Sequence, residues 1–203
     1  MQANELDLYA KLMTDCFLED PGIQIQLAGV PHAPGVLELQ CRCQISAFSK
    51  LNGVSTFGSG EGIVMGYFTR DQERLSAYLA NESAFLLDHV PQEVLATIQK
   101  NAEAVIPIVQ SGWYEKFLGK REVYVLQVIA VHPSVRGTGV FRKLITPILQ
   151  RAQEEGIPVV LQTHNAATIA KYEHMGFVLK ETVSSDVVDL SCYNLMKHPD
   201  FLL

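Results

Sequence analysis

Residues 123–141 read VYVLQVIAVHPSVRGTGVF, and this stretch predicts the fold more directly than any other. It begins as an apolar run that ends at Val131 and is interrupted only by Gln127. Strands that are covered on both faces of a sheet have this composition, so we predict an interior strand over 123–131. Two glycines then stand within three residues, and a helical apolar pattern begins at once. The predicted order is therefore strand, tight turn, helix.

The predicted turn is suited to binding an anion. Gly137 and Gly139 lack a Cβ, so the backbone can adopt positive φ and bring consecutive N–H groups close to a ligand. The helix that follows leaves its first N–H groups unpaired and carries partial positive charge at its start. Arg136 adds a permanent positive charge beside the turn. The natural ligand of such a turn is a phosphate or a pyrophosphate.

The helix predicted after the turn ends at Gly156 and contains Pro147, which removes one hydrogen bond inside it. Its apolar stripe consists of Val140, Leu144, Ile148 and Ala152. A second apolar strand follows at 158–163. Two strands joined through a helix in this way form a right-handed crossover, so the two strands are expected to be parallel.

A second motif, NAATIAKYEHMGF, occupies residues 165–177. Asn165 stands where a side chain would cap a helix, and Gly176 stands where a left-handed residue would end it. Together the turn and this motif resemble the acetyl-coenzyme A binding half of the GNAT family of N-acetyltransferases. The turn is similar to the family's (Q/R)-x-x-G-x-(G/A) pyrophosphate loop, and the motif to its N-x-x-A-x-x-x-Y-x-x-x-G-F helix. The matching residues are Arg136 and Gly139 in the turn, and Asn165, Tyr172, Gly176 and Phe177 in the helix.

Two residues depart from the family pattern. Phe141 stands where the loop usually ends in Gly or Ala, and Thr168 stands where the helix usually has Ala. The first departure bears on the site itself, because a phenyl ring beside the pyrophosphate turn must point away or it narrows the site.

The resemblance implies an α/β (α+β) chain with the GNAT acyl-CoA N-acyltransferase fold, in which helices flank a mixed central sheet. It implies acetyl-CoA as the co-substrate, no metal, and direct transfer of the acetyl group to a primary amine. We expect the amine to belong to a small molecule, and a peptide N-terminus and a lysine are the alternatives. Tyr172 would be the general acid that protonates the departing thiolate, which suits a phenol that stays protonated at pH 7. The coenzyme would be held by the strand edge at Ile129, Ala130 and Val131, by the turn residues Arg136, Gly137, Thr138, Gly139, Val140 and Phe141, and by Asn165.

The general base remains open at this stage. Some family members have a Glu on the central strand, where this chain has Val125. The alternatives are Glu122, Glu115, His89, His132 and a chain of water molecules. A coenzyme-binding module without transferase activity is the alternative function, which Phe141 and the missing base favour. A plain interaction protein would require both motifs to be coincidence.

Composition and charge exclude several classes of protein. The 203 residues are 48% hydrophobic and 19% charged, which is typical of a globular protein. The net charge is −6 and basic residues do not cluster, so nucleic acid is not an expected partner, whereas a cationic amine is compatible. No apolar run approaches the roughly 18 to 20 residues that cross a bilayer, and the N-terminus has no signal-like apolar core, so we expect a cytoplasmic protein without a membrane partner.

The same features predict a single N-acetyltransferase domain over 1–203, as a monomer or homodimer. Its parts would be an acceptor-side half over 1–118, an acetyl-CoA-binding core over 119–180 and a closing strand over 181–203. The spacing of Cys41 and Cys43 has no second Cys or His pair, so we expect structural, reduced thiols and no metal site.

The N-terminal half is harder to interpret. A first helix, capped by Asn4, should stop at Asp20-Pro21-Gly22. Residues 36–51 fit a strand or a helix, and their length and the Asn52-Gly53 stop favour a helix. The glycine-rich residues 58–62 precede a strand at 63–68 rather than a helix, so they predict a hairpin connection and not an anion site. Further helices are predicted over 72–79 and 92–105, and a closing strand pair or one bent strand over 187–196.

Residues of this half that could line an acceptor site are equally well explained as ordinary surface or core. They are Asp88, His89, Trp113, Tyr114, Glu115 and Phe117. Within the family, the pairs Asp20-Pro21 and His198-Pro199, the latter preceded by Met196, resemble the puromycin-type acetyltransferase branch.

Overall fold

A computed structural model describes residues 2–199 of the chain. The helices are α1 (Ala3–Phe17), α2 (Pro21–Gln26), α3 (Ala33–Ser49), α4 (Gln72–His89), α5 (Gln92–Ala102), α6 (Glu115–Leu118), α7 (Val140–Glu154) and α8 (Ile169–Glu173). The strands are β1 (Val54–Phe57), β2 (Gly62–Phe68), β3 (Tyr124–Val131), β4 (Val159–Thr163), β5 (Val178–Ser184) and β6 (Ser191–Lys197). Short 3-10 turns lie at Thr69–Asp71, Pro133–Val135 and Ala166–Thr168.

The six strands form one mixed sheet in the order β1-β2-β3-β4-β6-β5. Strands β3 and β4 are parallel, because α7 carries the chain back between them, and the other neighbours are antiparallel. Helices α1 and α3 pack on one face of the sheet, and α7 packs on the other. The predicted α/β fold with a mixed sheet flanked by helices is confirmed.

Two apolar clusters fill the space between the sheet and its helices. On β2, Ile63 and Met65 face the cluster with α1 and α3, while Val64 faces the cluster with α7. Successive side chains of a strand point to opposite faces, so a central strand that is apolar throughout supplies both clusters. Strand β3 does the same, in agreement with its apolar sequence.

Strands β3 and β4 pair only at the start of β3. The pairs are Tyr124 with Val159 and Val125 with Val160. On its other side β3 pairs with β2 along its length, with one extra residue, Gln127, between the partners of Met65 and Gly66. A bulge of this kind bends a strand and increases its twist. Among residues 2–199, the second half of β3 has no strand partner on the side of β4, so its main-chain edge borders a gap in the sheet.

Several predicted boundaries differ from the structure. The first helix begins at Ala3 rather than after Asn4, because the Glu5 carboxylate accepts a hydrogen bond from the Gln2 N–H at 3.0 Å and satisfies the helix start. Helix α4 continues to His89, ten residues beyond the predicted end, since no glycine or proline interrupts it before Pro91. Helix α5 ends at Ala102 and not at residue 105.

The predicted stop at Asp20-Pro21-Gly22 also begins a helix that was not predicted. Asp20 Oδ1 accepts hydrogen bonds from the N–H groups of Gly22 and Ile23, and Pro21 occupies the first position of α2. A carboxylate before a proline is a helix start signal, and here it follows one helix and opens the next.

As predicted, the ambiguous residues form a helix over 36–49; this helix is part of α3, which ends at Ser49, so Lys50 and Leu51 lie beyond it. The candidate acceptor residues Trp113 and Tyr114 are buried, and they pack with Val123, Val160 and Met196. They belong to the core, which is one of the two explanations that the sequence left open for them. Among residues 2–199, no helix has the length and apolar composition needed to span a membrane.

Candidate active site

A cavity of about 890 Å³ lies where β3 and β4 diverge. Its walls come from the end of α1, the end of β3, the glycine turn, the end of β4 and the start of α8. It collects residues from both sequence motifs, namely Ile129, Ala130, Val131, Arg136, Gly137, Gly139, Phe141, Asn165 and Tyr172. Two of the predicted coenzyme residues do not line it. The side chain of Val140 is buried in the core, and the Thr138 hydroxyl donates a hydrogen bond to the Val135 carbonyl at 2.7 Å.

The glycine turn has the backbone conformation that its sequence predicts. Gly137 has a φ of 82° and Gly139 a φ of 90°, which only glycine adopts without strain. The N–H groups of Arg136 and Thr138 are used inside the turn, where they donate to the carbonyls of Pro133 and Val135. In the described part of the chain, no backbone carbonyl accepts a hydrogen bond from five other N–H groups here. They are those of Gly137, Gly139, Val140, Phe141 and Arg142. The turn and the start of α7 thus offer a run of free donors beside the cavity.

Tyr172 is held by aromatic packing. Its ring lies edge-on to Phe141, with centroids 5.7 Å apart, and to Phe177, with centroids 5.8 Å apart. Burial raises the pKa of Tyr172 to about 12, because the phenolate would lose its hydration. The phenol is therefore protonated over the whole physiological range. Phe141, the residue that departs from the family loop, forms part of the cavity wall and supports this tyrosine.

Asn165 caps a 3-10 turn rather than an α-helix. Its Oδ1 accepts a hydrogen bond from the Ala167 N–H at 3.0 Å, and the turn then continues into α8. Thr168, the other departure from the family pattern, donates from its hydroxyl to the Asn165 carbonyl at 2.7 Å and lies 3.1 Å from the Thr163 hydroxyl. A threonine at this position therefore ties the turn to the end of β4. Gly176 ends the segment at a φ of 86°, as predicted.

Opposite charges line different parts of the cavity. Arg136, Arg142 and Lys171 contribute positive charge on the side of the glycine turn and α8. Asp15, Glu19 and Asp20 contribute negative charge at the end of α1. Asp15 is paired with Lys11 at 3.1 Å, whereas no ion pair joins Glu19 or Asp20 to any residue in the range 2–199. The site thus carries positive charge at the glycine turn and α8 and negative charge at the end of α1, where Arg136 also lies beside Cys16.

The sequence did not predict the acidic wall, because it indicated Asp20 as part of a helix stop and of the Asp20-Pro21 pair and not as a site residue. Cys16 holds the end of α1 beside the site. Its thiol donates a hydrogen bond to the Val131 carbonyl at 3.5 Å and lies 3.8 Å from a guanidinium nitrogen of Arg136. Burial raises the pKa of the Cys16 thiol. The only local signal for this wall was the cluster of carboxylates between residues 15 and 20. That cluster indicates a site only when the structure shows that α1 packs beside β3.

None of the four side chains considered as general base lines this cavity. Glu122 lies before β3, at the end of the strand opposite the glycine turn, and pairs with Arg70 at 2.8 Å. His132 Nδ1 lies 2.7 Å from the Ser134 hydroxyl. His89 stacks on Phe85 at the end of α4, and Glu115 begins α6.

The donor groups at the glycine turn suit an organic anion. All four cysteines are free, and within residues 2–199 no three His, Cys, Asp or Glu side chains are grouped as metal ligands. The free N–H groups and the cationic side chains fit the diphosphate of a coenzyme.

Comparison with known sequences agrees with this geometry. The sequence profile of the Acetyltransferase (GNAT) family matches residues 65–177, more than half of the chain. A curated relative, an uncharacterized N-acetyltransferase of Schizosaccharomyces pombe, is 34% identical over 58 residues, which are 29% of this chain and 24% of the relative. The match therefore spans about a quarter of that relative's length.

Solved structures share the fold over nearly the whole chain. A protein of Corynebacterium glutamicum described as histone acetyltransferase HPA2 and related acetyltransferase has a TM-score of 0.64 at 19% identity, with 99% of this chain and 94% of that chain covered. An N-acetyltransferase of Staphylococcus aureus has a TM-score of 0.62 at 18% identity, with coverages of 96% and 97%. Arylalkylamine N-acetyltransferase 2 of Aedes aegypti has a TM-score of 0.56 at 15% identity, with coverages of 98% and 97%. With the family profile matched and both motifs at one cavity, the chain belongs to the acetyltransferase (GNAT) family.

Proposed function

We propose that this protein transfers the acetyl group of acetyl-CoA to the primary amine of a small, positively charged molecule. One observation carries the proposal: a single cavity is lined by free N–H groups and basic side chains at the glycine turn, by carboxylates at the end of α1, and by the protonated Tyr172. An anionic acetyl donor and a cationic acceptor can therefore meet in it.

The coenzyme would be bound largely by main-chain groups. The free N–H groups of Gly137, Gly139 and Val140 would hold the diphosphate, where the start of α7 also contributes positive potential. Arg142 and Lys171 would add charge at the rim. The edge of β3 at residues 129–131 has no strand partner toward β4, so it can pair with the amides of the pantetheine arm.

The reaction requires one bond to form and one to break at the acetyl carbonyl. The neutral amine attacks the carbonyl carbon of the thioester, the C–N bond forms, and the C–S bond breaks as the tetrahedral oxyanion collapses. The departing thiolate takes a proton from the Tyr172 hydroxyl, whose pKa near 12 keeps that proton available. The acceptor enters as an ammonium ion and gives one proton to water before it attacks. After the C–N bond forms, the nitrogen gives a second proton to water, and the Tyr172 phenolate regains its proton from water. None of the four candidate bases lines the cavity.

Two features support a small cationic acceptor. Glu19 and Asp20 have no cationic partner among the described residues, and they would attract an ammonium group. The Asp20-Pro21 pair and the His198-Pro199 pair with Met196 resemble the puromycin-type branch. Membership of that branch is part of the proposal.

The coenzyme step is tested by a thermal melt with and without acetyl-CoA. A ligand at about 100 times its dissociation constant adds roughly 2.7 kcal/mol to the free energy of unfolding, which raises the Tm of a chain of this size by about 5 to 10 °C. Arg142→Glu should reduce this shift, since Arg142 lines the cavity. Lys143→Glu is the matched control, because the neighbouring Lys143 lies over the Phe57 ring and not in the cavity.

The transfer step is tested with a panel of primary amines and detection of the free coenzyme thiol. We expect thiol release that depends on an amine. A coenzyme-dependent Tm shift with no turnover of any amine would instead favour the alternative function, a coenzyme-binding module. No Tm shift at all would refute the proposal.

A further inference from the structure

A second, smaller cavity of about 250 Å³ adjoins the first, and Asp20 lines both. The end of β4 separates them, since Thr163 and Asn165 line the larger cavity while the intervening His164 lines the smaller one. The remaining wall comes from α2, from the end of α5 and from the segment after it. No residue considered in the sequence analysis as an acceptor contact lies in this cavity.

The smaller cavity is lined mainly by aliphatic side chains. Ile23 comes from α2, Ala102 ends α5, and Val105, Ile106 and Val109 follow it. Ile106 is 64% exposed and Val109 is 38% exposed, so two aliphatic side chains stand uncovered at this cavity. An engineered apolar cavity of about 150 Å³ in another protein holds benzene, so a space of about 250 Å³ has room for an aromatic ring or a branched alkyl group.

Two polar side chains of the smaller cavity, Asp20 and His164, stand at its border with the larger one, and Gln26 is the third polar residue in its wall. A methyl group placed on Gly22 would lie 3.2 Å from Asp20 Oδ1 and 3.2 Å from His164 Cδ2, so these two side chains border the same small space. Asp20 Oδ1 already accepts hydrogen bonds from two N–H groups of α2, which fix the carboxylate in place. The carboxylate has no cationic partner within residues 2–199.

We propose that the smaller cavity binds the apolar arm of the acceptor while Asp20 binds its ammonium group at the border with the coenzyme cavity. The acceptors are thus hydrophobic primary amines, with an aromatic or branched aliphatic arm. This inference rests on the proposed acetyl transfer and adds to it a specificity site formed by α2, α5 and the segment after α5. The negative charge of Asp20 and the continuity of the smaller cavity with the larger one identify such an amine as the occupant.

The proposal is tested by filling the cavity and comparing two amines of different size. Ala102→Leu places a larger aliphatic side chain in the wall at the end of α5. It should lower kcat/KM for benzylamine about tenfold or more and leave that for methylamine within about twofold, as expected when a pocket discriminates by the volume of an apolar group. Ala96→Leu is the matched control, because Ala96 is an exposed alanine of the same helix, and it should change neither value.

A second pair of variants tests the exposed aliphatic rim with little risk to folding. Ile106→Ser should raise KM for benzylamine, and Leu87→Ser, which removes a 69% exposed side chain from α4, should not. An equal loss for both amines in Ala102→Leu, or no loss in either cavity variant, would overturn the specificity site while leaving acetyl transfer in place. If no amine is acetylated by the unaltered protein, the proposed function itself fails.

Discussion

At the scale of single residues, Tyr172 shows how burial suits a side chain to its proposed role. A general acid must still hold its proton when the thiolate forms, and burial raises the pKa of this phenol to about 12. Phe141 and Phe177 bury this phenol by packing edge-on against its ring. Phe141 is therefore better explained as a support for Tyr172 than as an obstruction to the coenzyme.

Tyr172→Phe tests this role. The phenyl ring preserves both aromatic contacts, so folding and coenzyme affinity should change little, while loss of the acid should lower kcat by about 10²- to 10⁴-fold. The measurement is steady-state kinetics together with the acetyl-CoA-dependent Tm shift. Tyr193→Phe is a suitable control, because Tyr193 packs in the same apolar cluster without lining the cavity. Weaker coenzyme binding at unchanged kcat would contradict the assignment.

At the scale of elements, the connection between α3 and β1 shows two neighbouring residues with different roles. The Asn52-Gly53 pair predicts a helix stop. In the structure the left-handed residue is Asn52, with a φ of 53°. Gly53 is needed for another reason, since a Cβ there would collide with the carbonyl oxygen of Gly66 on β2. The glycine allows the chain to enter β1 directly against the neighbouring strand.

Gly53→Ala should therefore destabilise the protein by about 1 to 3 kcal/mol, because a backbone atom cannot move aside as a side chain can. Gly35→Ala should change the free energy of unfolding in the opposite direction. Gly35 lies in α3, and an added Cβ would meet open space, so alanine there should stabilise the protein by about 0.4 to 1 kcal/mol. Urea denaturation of both variants measures these changes. Equal effects of the two substitutions would show that close approach at Gly53 is not limiting.

The divergence of β3 and β4 is also a property of elements rather than of residues. Both strands have ordinary apolar sequences, and the gap begins where their parallel pairing ends after Val125, two residues before the bulge at Gln127. The proposed site lies in that gap, so its geometry depends on where β3 and β4 diverge.

At the scale of the whole molecule, burial of neutral acids predicts an alkaline limit to stability. Burial raises the pKa of Cys41 and Cys192 from 9.0 to about 11 and that of Tyr124 and Tyr172 from 10.0 to about 12. Below pH 9 all four groups are protonated in both states, and stability is fully present. As the pH rises further, the unfolded chain loses these protons first, so unfolding is favoured progressively up to about pH 12.

Urea denaturation between pH 7 and pH 11 checks this expectation. The free energy of unfolding should fall above pH 9, and the fall should be shallower in Tyr172→Phe, which has one buried acid fewer. A free energy of unfolding that stays constant to pH 11 would show that these groups ionise equally well in the folded protein.

Much of the coenzyme half could be predicted because its determinants are local. Positive φ at Gly137 and Gly139, the strand before them and the helix after them are fixed by consecutive residues. The motif at 165–177 is equally local, although Asn165 caps a 3-10 turn rather than the helix itself. Helix ends in the N-terminal half were less predictable, since Asp20 both follows one helix and starts another.

The sequence by itself determined the central strand, the glycine turn and the tyrosine of this protein, because each depends on neighbours along the chain. Only the tertiary structure decided what faces them. Cys16 and Val131 are 115 residues apart, and their hydrogen bond exists because the packing of α1 against β3 brings the two chain segments together. That packing places Glu19 and Asp20 in the wall of the same cavity as Arg142 and Lys171 and, with α5, forms the smaller cavity beside it. Charge and shape at a cleft arise from segments distant in sequence, and no local pattern encodes which segments will meet.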